Sequence, residues 1–300
     1  MANVTIIEFP SNLGLKEPSP GHEPGVKKLP AWLRKYNFHE LIAPVSTITV
    51  SPPNYSPDPD SETTVLNADA LVAYAKEQAE VLGKVLAEDT FPLVLGGDCS
   101  IQIGSALALK QKGNYALFYL DGHTDFVEPD FSQTGGAGGM AAAMVAGRGP
   151  EKLTNINGQL PYIQEAHVWC VGNREYDDDY ENIIRNSQAT YVPLSALRET
   201  GIANCVSSFL AMVEARQLDG FWIHVDVDVL DDAVMPAVDS RTPGGLSYSE
   251  FNELLYLLLS SPKATGLEIT ILDPELDTTG QYTEQFVHDF TQTFLKARKN

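Results

Sequence analysis

Cysteine is scarce: Cys99, Cys170 and Cys205 are the only three in a chain of 300 residues. An odd, widely spaced set excludes a disulfide framework and fits a reducing compartment, so a cytoplasmic protein is expected. Basic residues are few as well, 20 against 40 acidic ones, and no basic stripe relieves the net charge of −20. That balance excludes nucleic acid and anionic membrane as partners. No apolar run approaches membrane-spanning length, and the opening MANVTIIEFPSN lacks a basic segment followed by an apolar stretch with a cleavage site. There is no internal repeat, no low-complexity linker and no convincing boundary. Residues 1–300 are therefore read as one domain.

What the chain does have is 43% apolar residues, enough for a large core. Apolar runs of strand length predict strands at Asn3–Phe9, Ile42–Val50, Phe91–Leu95, Tyr115–Leu120, His167–Val171, Ala189–Leu194, Gly220–Val229 and Gly266–Leu272. Between them, helical spacing predicts helices around Ala31–Tyr36, Asn67–Asp89, Ser100–Lys110, Cys205–Arg216, Ser249–Leu259 and Thr283–Lys299. Strands that are apolar nearly throughout, alternating with helices, predict an α/β fold with a mostly parallel sheet covered on both faces. Ligands in such folds bind beyond the carboxyl ends of the strands. The Gly- and Ala-rich stretch Gly135–Gly149 reads as a site loop leading into a short helix.

Two acidic clusters end apolar runs: Asp121-Gly-His-Thr-Asp125 after YALFYL, and His224-Val-Asp-Val-Asp228 after GFWI. Alternation along a strand would put Asp121, His123 and Asp125 on one face, and likewise Asp226 and Asp228. Five ligands of hard divalent metals would then converge from two strand ends. Burying so much negative charge is costly unless cations neutralise it, which favours a metal site over solvated acidic turns. His224 shares the face of Asp226 and is read as a buried histidine supporting the ligands rather than as a ligand itself. Asp98 and Asp231 are read as turn carboxylates, and Cys170 and Cys205 as small packed hydrophobes.

Gly96-Gly-Asp-Cys-Ser100, Asp121-Gly-His-Thr-Asp125 and Asp226-Val-Asp-Val-Leu-Asp231 resemble, in order and spacing, the three metal-binding motifs of the arginase, agmatinase and formiminoglutamase family, the ureohydrolases. The similarity includes the Pro243-Gly-Gly-Leu246 turn and the Gly266-Leu-Glu-Ile269 strand. The resemblance implies a three-layer α/β/α fold and two Mn²⁺ ions per subunit, whose bridging hydroxide attacks a carbon bearing nitrogen substituents. Cys99, Asp121, Asp125 and Asp226 would hold one ion, and Asp121, His123, Asp226 and Asp228 the other. Asp125 would hold the nucleophile and relay its proton to the leaving nitrogen. Asp177 matches a carboxylate that binds a substrate amino group, against the alternative of a solvated acidic loop. Thr134 matches a hydroxyl on the substrate loop, against a plain loop role. Family members commonly form trimers or hexamers, so a homo-oligomer acting on a small molecule is expected.

Three positions depart from the family pattern. Cys99 replaces a histidine ligand; its softer thiolate would let Zn²⁺ or Fe²⁺ compete with Mn²⁺, and a protonated thiol would leave that position partly empty. Ni²⁺ is a further alternative. Gly138 stands where the family often has a histidine near the leaving group. Ile271 aligns with the arginase carboxylate that grips guanidinium, and an apolar residue cannot pair with a planar cation. The expected function is hydrolysis of a linear C–N bond in a guanidino, formimidoyl or modified guanidino compound. The alternative is a non-catalytic metal-binding relative serving as scaffold or small-molecule sensor.

Overall fold

Successive residues of a strand face opposite sides of its sheet, so strands that are apolar throughout need cover on both sides. The computed structural model describes residues 3–299. Its strands are β1 (Asn3–Glu8), β2 (Ser46–Thr49), β3 (Thr90–Leu95), β4 (Tyr115–Leu120), β5 (Val168–Val171), β6 (Thr190–Val192), β7 (Gly220–Asp226) and β8 (Ala264–Thr270). They form one parallel sheet in the order β2-β1-β3-β8-β7-β4-β5-β6. On one side Ile6, Leu93, Phe118 and Ile223 pack into a core shared with the helices Ile202–Ala215, Tyr248–Leu259 and Gln281–Ala297. Their neighbours Ile7, Val94, Leu117 and Trp222 face the other core, under the helices Ala68–Val85, Gln102–Lys110 and Ala141–Val145. Each fully buried side chain of this size contributes roughly 1.5–3 kcal/mol. The result is the expected α/β/α sandwich.

The adjacent central strands β3, β8, β7 and β4 end at one edge, where the segments 96–100, 121–125 and 226–228 lie. After β3 the chain turns tightly through Gly96-Gly97. A Cβ on Gly97 would meet the Ser11 carbonyl oxygen at 1.7 Å, so no other residue fits. Asp98 then accepts from Ser100 N at 2.9 Å and starts a turn of 3-10 helix over Cys99–Ile101.

Some elements differ from the sequence expectation. β2 begins at Ser46 rather than Ile42, because Ile42 ends the short helix Phe38–Ile42, which Ala43 stops in the left-handed region at φ 52°. β7 ends at Asp226, and Val227–Val229 is a 3-10 turn. The helices Asp178–Arg185 and Leu194–Thr200 were not expected.

Candidate functional site

The first acidic cluster lies just past the end of β4, in a turn, and strand alternation does not reach it. Convergence comes instead from the turn itself: Asp125 takes φ 45°, a left-handed conformation that swings its side chain back toward the strand. There the Tyr119 hydroxyl donates to Asp125 Oδ2 at 2.6 Å. Asp226 is the last residue of β7, and its Oδ1 accepts from Asp228 N at 2.8 Å, which fixes the following turn. The structure brings the two acidic clusters together, and turn geometry rather than strand alternation does so.

Around this point the groups interlock. His123 Nδ1 lies 2.8 Å from Asp228 Oδ2, while Asp228 Oδ1 accepts from Gly122 N at 2.9 Å. Asp121 Oδ1 accepts from His123 N at 2.5 Å, and its other oxygen is buried with no partner. Cys99 Sγ lies 3.0 Å from Asp226 Oδ2 and 3.3 Å from Thr270 Oγ1. His224 is wholly buried, with Nδ1 2.6 Å from Glu268 Oε1 and its ring stacked on Tyr119 at 4.0 Å between centroids. Among the described residues, ligand atoms of Cys99, Asp121 and His224 fall within 4.8 Å of one another, as do those of Asp121, His123 and Asp228.

The electrostatics are those of crowded buried carboxylates. Burial, followed by the charges of Asp125, Asp226 and Asp228, pushes Asp121 well above the usual carboxylate range. Asp226 is pushed the same way by burial and by Asp228. Burial raises Asp125 to about 6 against the opposing Tyr119 hydrogen bond. Asp228 is the exception: burial opposes its ionisation, but His123 holds it below its ordinary value. His123 in turn rises to about 9, because Asp228 outweighs the desolvation that would lower it. Burial, with Asp226 next, keeps the Cys99 thiol protonated far above its ordinary range. Such a cluster binds positive charge strongly, since a cation removes both the repulsion and the desolvation cost.

Above it opens a cavity of ≈ 330 Å³ lined by Cys99, His123, Asp125, Asp226 and Asp228 at its floor. Thr134 and Asp177 also line it. Thr134 Oγ1 accepts from Gly136 N at 3.1 Å and shapes its own loop. Asp177 caps the helix Asp178–Arg185 by accepting from Asp179 N at 3.0 Å and Tyr180 N at 3.3 Å. Ile271 reaches the wall at φ 75°, a strained conformation for a β-branched residue. Gly138 also lines it, and a Cβ there would sit 3.2 Å from both the Gly14 carbonyl oxygen and Leu15 Cδ2.

Several contributors escaped the sequence reading. Asn173 Nδ2 donates to the carbonyl of Asp121 at 2.9 Å and to that of His123. Arg174 grips the carbonyls of Asp228 and Thr242 at 2.7 and 2.6 Å, tying the second acidic turn to the cavity rim. Both lie in the Gly172–Asp177 segment, where only Asp177 carries a motif signal. Asp239 opens onto the cavity from the rim with no motif to mark it.

The Arginase family model matches residues 2–296. An arginase of Bacillus subtilis (strain 168) is 31% identical over 212 residues, covering 70% of this chain and 71% of that protein. Among solved structures, the arginase of Bacillus caldovelox superposes with a TM-score of 0.87 at 24% identity, covering 98% of each chain. Formimidoylglutamase from Bacillus subtilis superposes at 0.74 with 23% identity, covering 100% of this chain and 88% of that one.

Proposed function

The chain belongs to the arginase family, and from that premise we propose that it is a divalent-metal-dependent hydrolase of a linear C–N bond in an amidino compound. The observation that carries the reading is the cavity floor itself, where the buried Asp125, Asp226 and Asp228 meet His123 and Cys99, with Asp121 buried beside His123. Asp121 Oδ2 supports it, because this buried carboxylate oxygen, without a donor among the described residues and beside His123 and Asp228, is one a cation would satisfy. The residues therefore fit the group. Cys99, Asp121, Asp125 and Asp226 would hold one ion, and Asp121, His123, Asp226 and Asp228 the other, with Asp121 and Asp226 shared. Two Mn²⁺ ions are the family expectation, with Zn²⁺, Fe²⁺ and Ni²⁺ as competitors. When bound, the ions supply an activated water near neutral pH and positive charge beside the reacting carbon.

The chain's own residues do the rest. Asp125 takes the proton as the water's oxygen bonds to the amidino carbon, then gives it to the nitrogen that leaves as the C–N bond breaks. Tyr119 donates to Asp125 Oδ2 and fixes the carboxylate for this exchange. Asp177 and Thr134 on the rim would take polar groups at the far end of the substrate. Ile271 puts an apolar side chain at the position of the family's guanidinium carboxylate, so a formimidoyl or N-substituted amidino group fits that part of the wall better than a free guanidinium, while Glu175, Asp177 and Asp239 lie elsewhere on the cavity. The buried, unpaired cysteines support a reducing, cytoplasmic setting. By family resemblance the molecule is a trimeric or hexameric homo-oligomer.

A panel of guanidino, N-substituted guanidino and formimidoyl compounds, assayed with metal-loaded protein for urea, amine and formamide, tests this. A formimidoyl or substituted compound is expected to turn over at least tenfold faster than a free guanidino one. No product from any of them would contradict the reading.

A further inference from the structure

From the geometry around β7 and β8, we infer that His224 is itself a metal ligand and that, with Cys99 and Asp121, it builds a first metal position selecting Zn²⁺ over Mn²⁺. This rests on the proposed metal-dependent reading and replaces one part of it, the ligand set at the Cys99 side. Where relatives of the expected pattern carry a histidine in the turn after β3, this chain carries Cys99. The imidazole comes instead from β7, two strands along the sheet from β3.

The arrangement behind His224 is that of an oriented ligand. Glu268 Oε1 lies 2.6 Å from Nδ1, and its Oε2 accepts from Ser105 Oγ at 2.7 Å, so the carboxylate is pinned at both oxygens. A carboxylate on Nδ1 fixes the tautomer with the proton there and leaves the Nε2 lone pair free, as metal-bound histidines require. Tyr119 stacked at 1° to the ring plane removes the remaining freedom of the imidazole. Among the described residues nothing satisfies Nε2 well, since its hydrogen-bond neighbour Thr270 Oγ1 is 3.4 Å away. Completely burying an acid and an imidazole that perform no further task would be a poor use of core volume.

A ring nitrogen of His224, Cys99 Sγ and an Asp121 oxygen lie within 4.8 Å of one another. Nε2 is the nitrogen on that side, since its neighbour Thr270 Oγ1 is itself 3.3 Å from Cys99 Sγ. Tetrahedral zinc with its usual sulfur, nitrogen and oxygen bond lengths needs these separations to be about 3.3–3.6 Å. A closing movement of roughly 1 Å suffices. Asp121 Oδ2, buried with no hydrogen-bond partner among the described residues, has lone pairs to give. On binding, Cys99 gives up its thiol proton to solvent and becomes a thiolate, which softens the set toward Zn²⁺ and away from Mn²⁺.

The test uses full-length protein stripped of metal and loaded with one equivalent of Co²⁺ or Zn²⁺. Co²⁺ should give a thiolate-to-metal charge-transfer band, and X-ray absorption of the Zn²⁺ form should show one sulfur and one imidazole neighbour. Cys99→Ser should abolish the band. His224→Gln should weaken Zn²⁺ binding at least about a hundredfold and Glu268→Gln about tenfold, while Mn²⁺ retained at the second position changes less than twofold in either. Zn²⁺ affinity of His224→Gln within twofold of the parent, or a first equivalent without a sulfur neighbour, would overturn the inference. Should His224→Gln fail to fold, the absorption measurement on the unmodified protein decides alone. Metal-dependent turnover without sulfur ligation would sink this inference and leave the proposed function standing. Sulfur and imidazole ligation without turnover of any amidino compound would do the reverse.

Discussion

The Tyr119 hydroxyl reaches Asp125 Oδ2 at 2.6 Å while the same ring lies flat on His224. One buried side chain therefore positions groups from both acidic motifs. Tyr119→Phe keeps the stack and removes the donor. Because a hydrogen bond to a charged acceptor contributes about 1.5–3 kcal/mol, kcat should fall roughly 10- to 100-fold. KM should stay within about twofold, since the ring still fills its place. Steady-state kinetics check this, and an unchanged kcat would remove Asp125 from the proton path.

Arg174 ties two separate turns together through the carbonyls of Asp228, Leu230 and Thr242. Its planar fork of donors cannot be reproduced by an ammonium group. Arg174→Lys should therefore lower unfolding stability by about 2–3 kcal/mol and weaken metal retention at the His123 side. Denaturant unfolding of the metal-free protein separates the first effect from the second. A parental midpoint would show that the clamp is redundant.

Away from the site, Glu8 controls acid stability. Burial alone would raise its pKa, but donors from His39, Thr49 and Arg34 bring it from the ordinary 4.5 down to about 2. A folded value below the unfolded one means the stabilisation is complete above about pH 4.5 and is lost as pH falls toward 2. The shift corresponds to about 3 kcal/mol. Glu8→Gln should flatten the pH dependence of the urea midpoint between pH 5 and 2 by roughly that amount. A slope equal to the parent's would assign acid unfolding to other carboxylates.

Much of this was legible in the sequence for a physical reason. A strand buried on both faces must be apolar throughout, which is why β3, β4 and β7 stood out. The candidate ligands Cys99, Asp121 and Asp226 sit where those runs end. What stayed hidden depends on backbone conformation or on long-range pairing. The left-handed position in the turn after β4 is Asp125 rather than a glycine, so the residue type does not announce it. The helix Asp178–Arg185 presents mostly acidic and polar residues, and a single buried side chain, Ile184, anchors it. Arg174 and Asn173 act on carbonyls, which carry no residue-type signal at all. His224 was read as a buried support, and only its contact with Glu268, 44 residues away, shows how its ring is held.

The central claim is that the paired acidic motifs work only with divalent cations in place. The direct measurement is turnover of the best amidino substrate by exhaustively chelated protein as metal is added back, with Asp226→Asn run in parallel. Activity should be absent without metal, rise to saturation with bound equivalents, and stay at least about a thousandfold lower in Asp226→Asn at every metal concentration. Turnover that survives complete chelation, or an Asp226→Asn variant as active as the parent, would contradict the account.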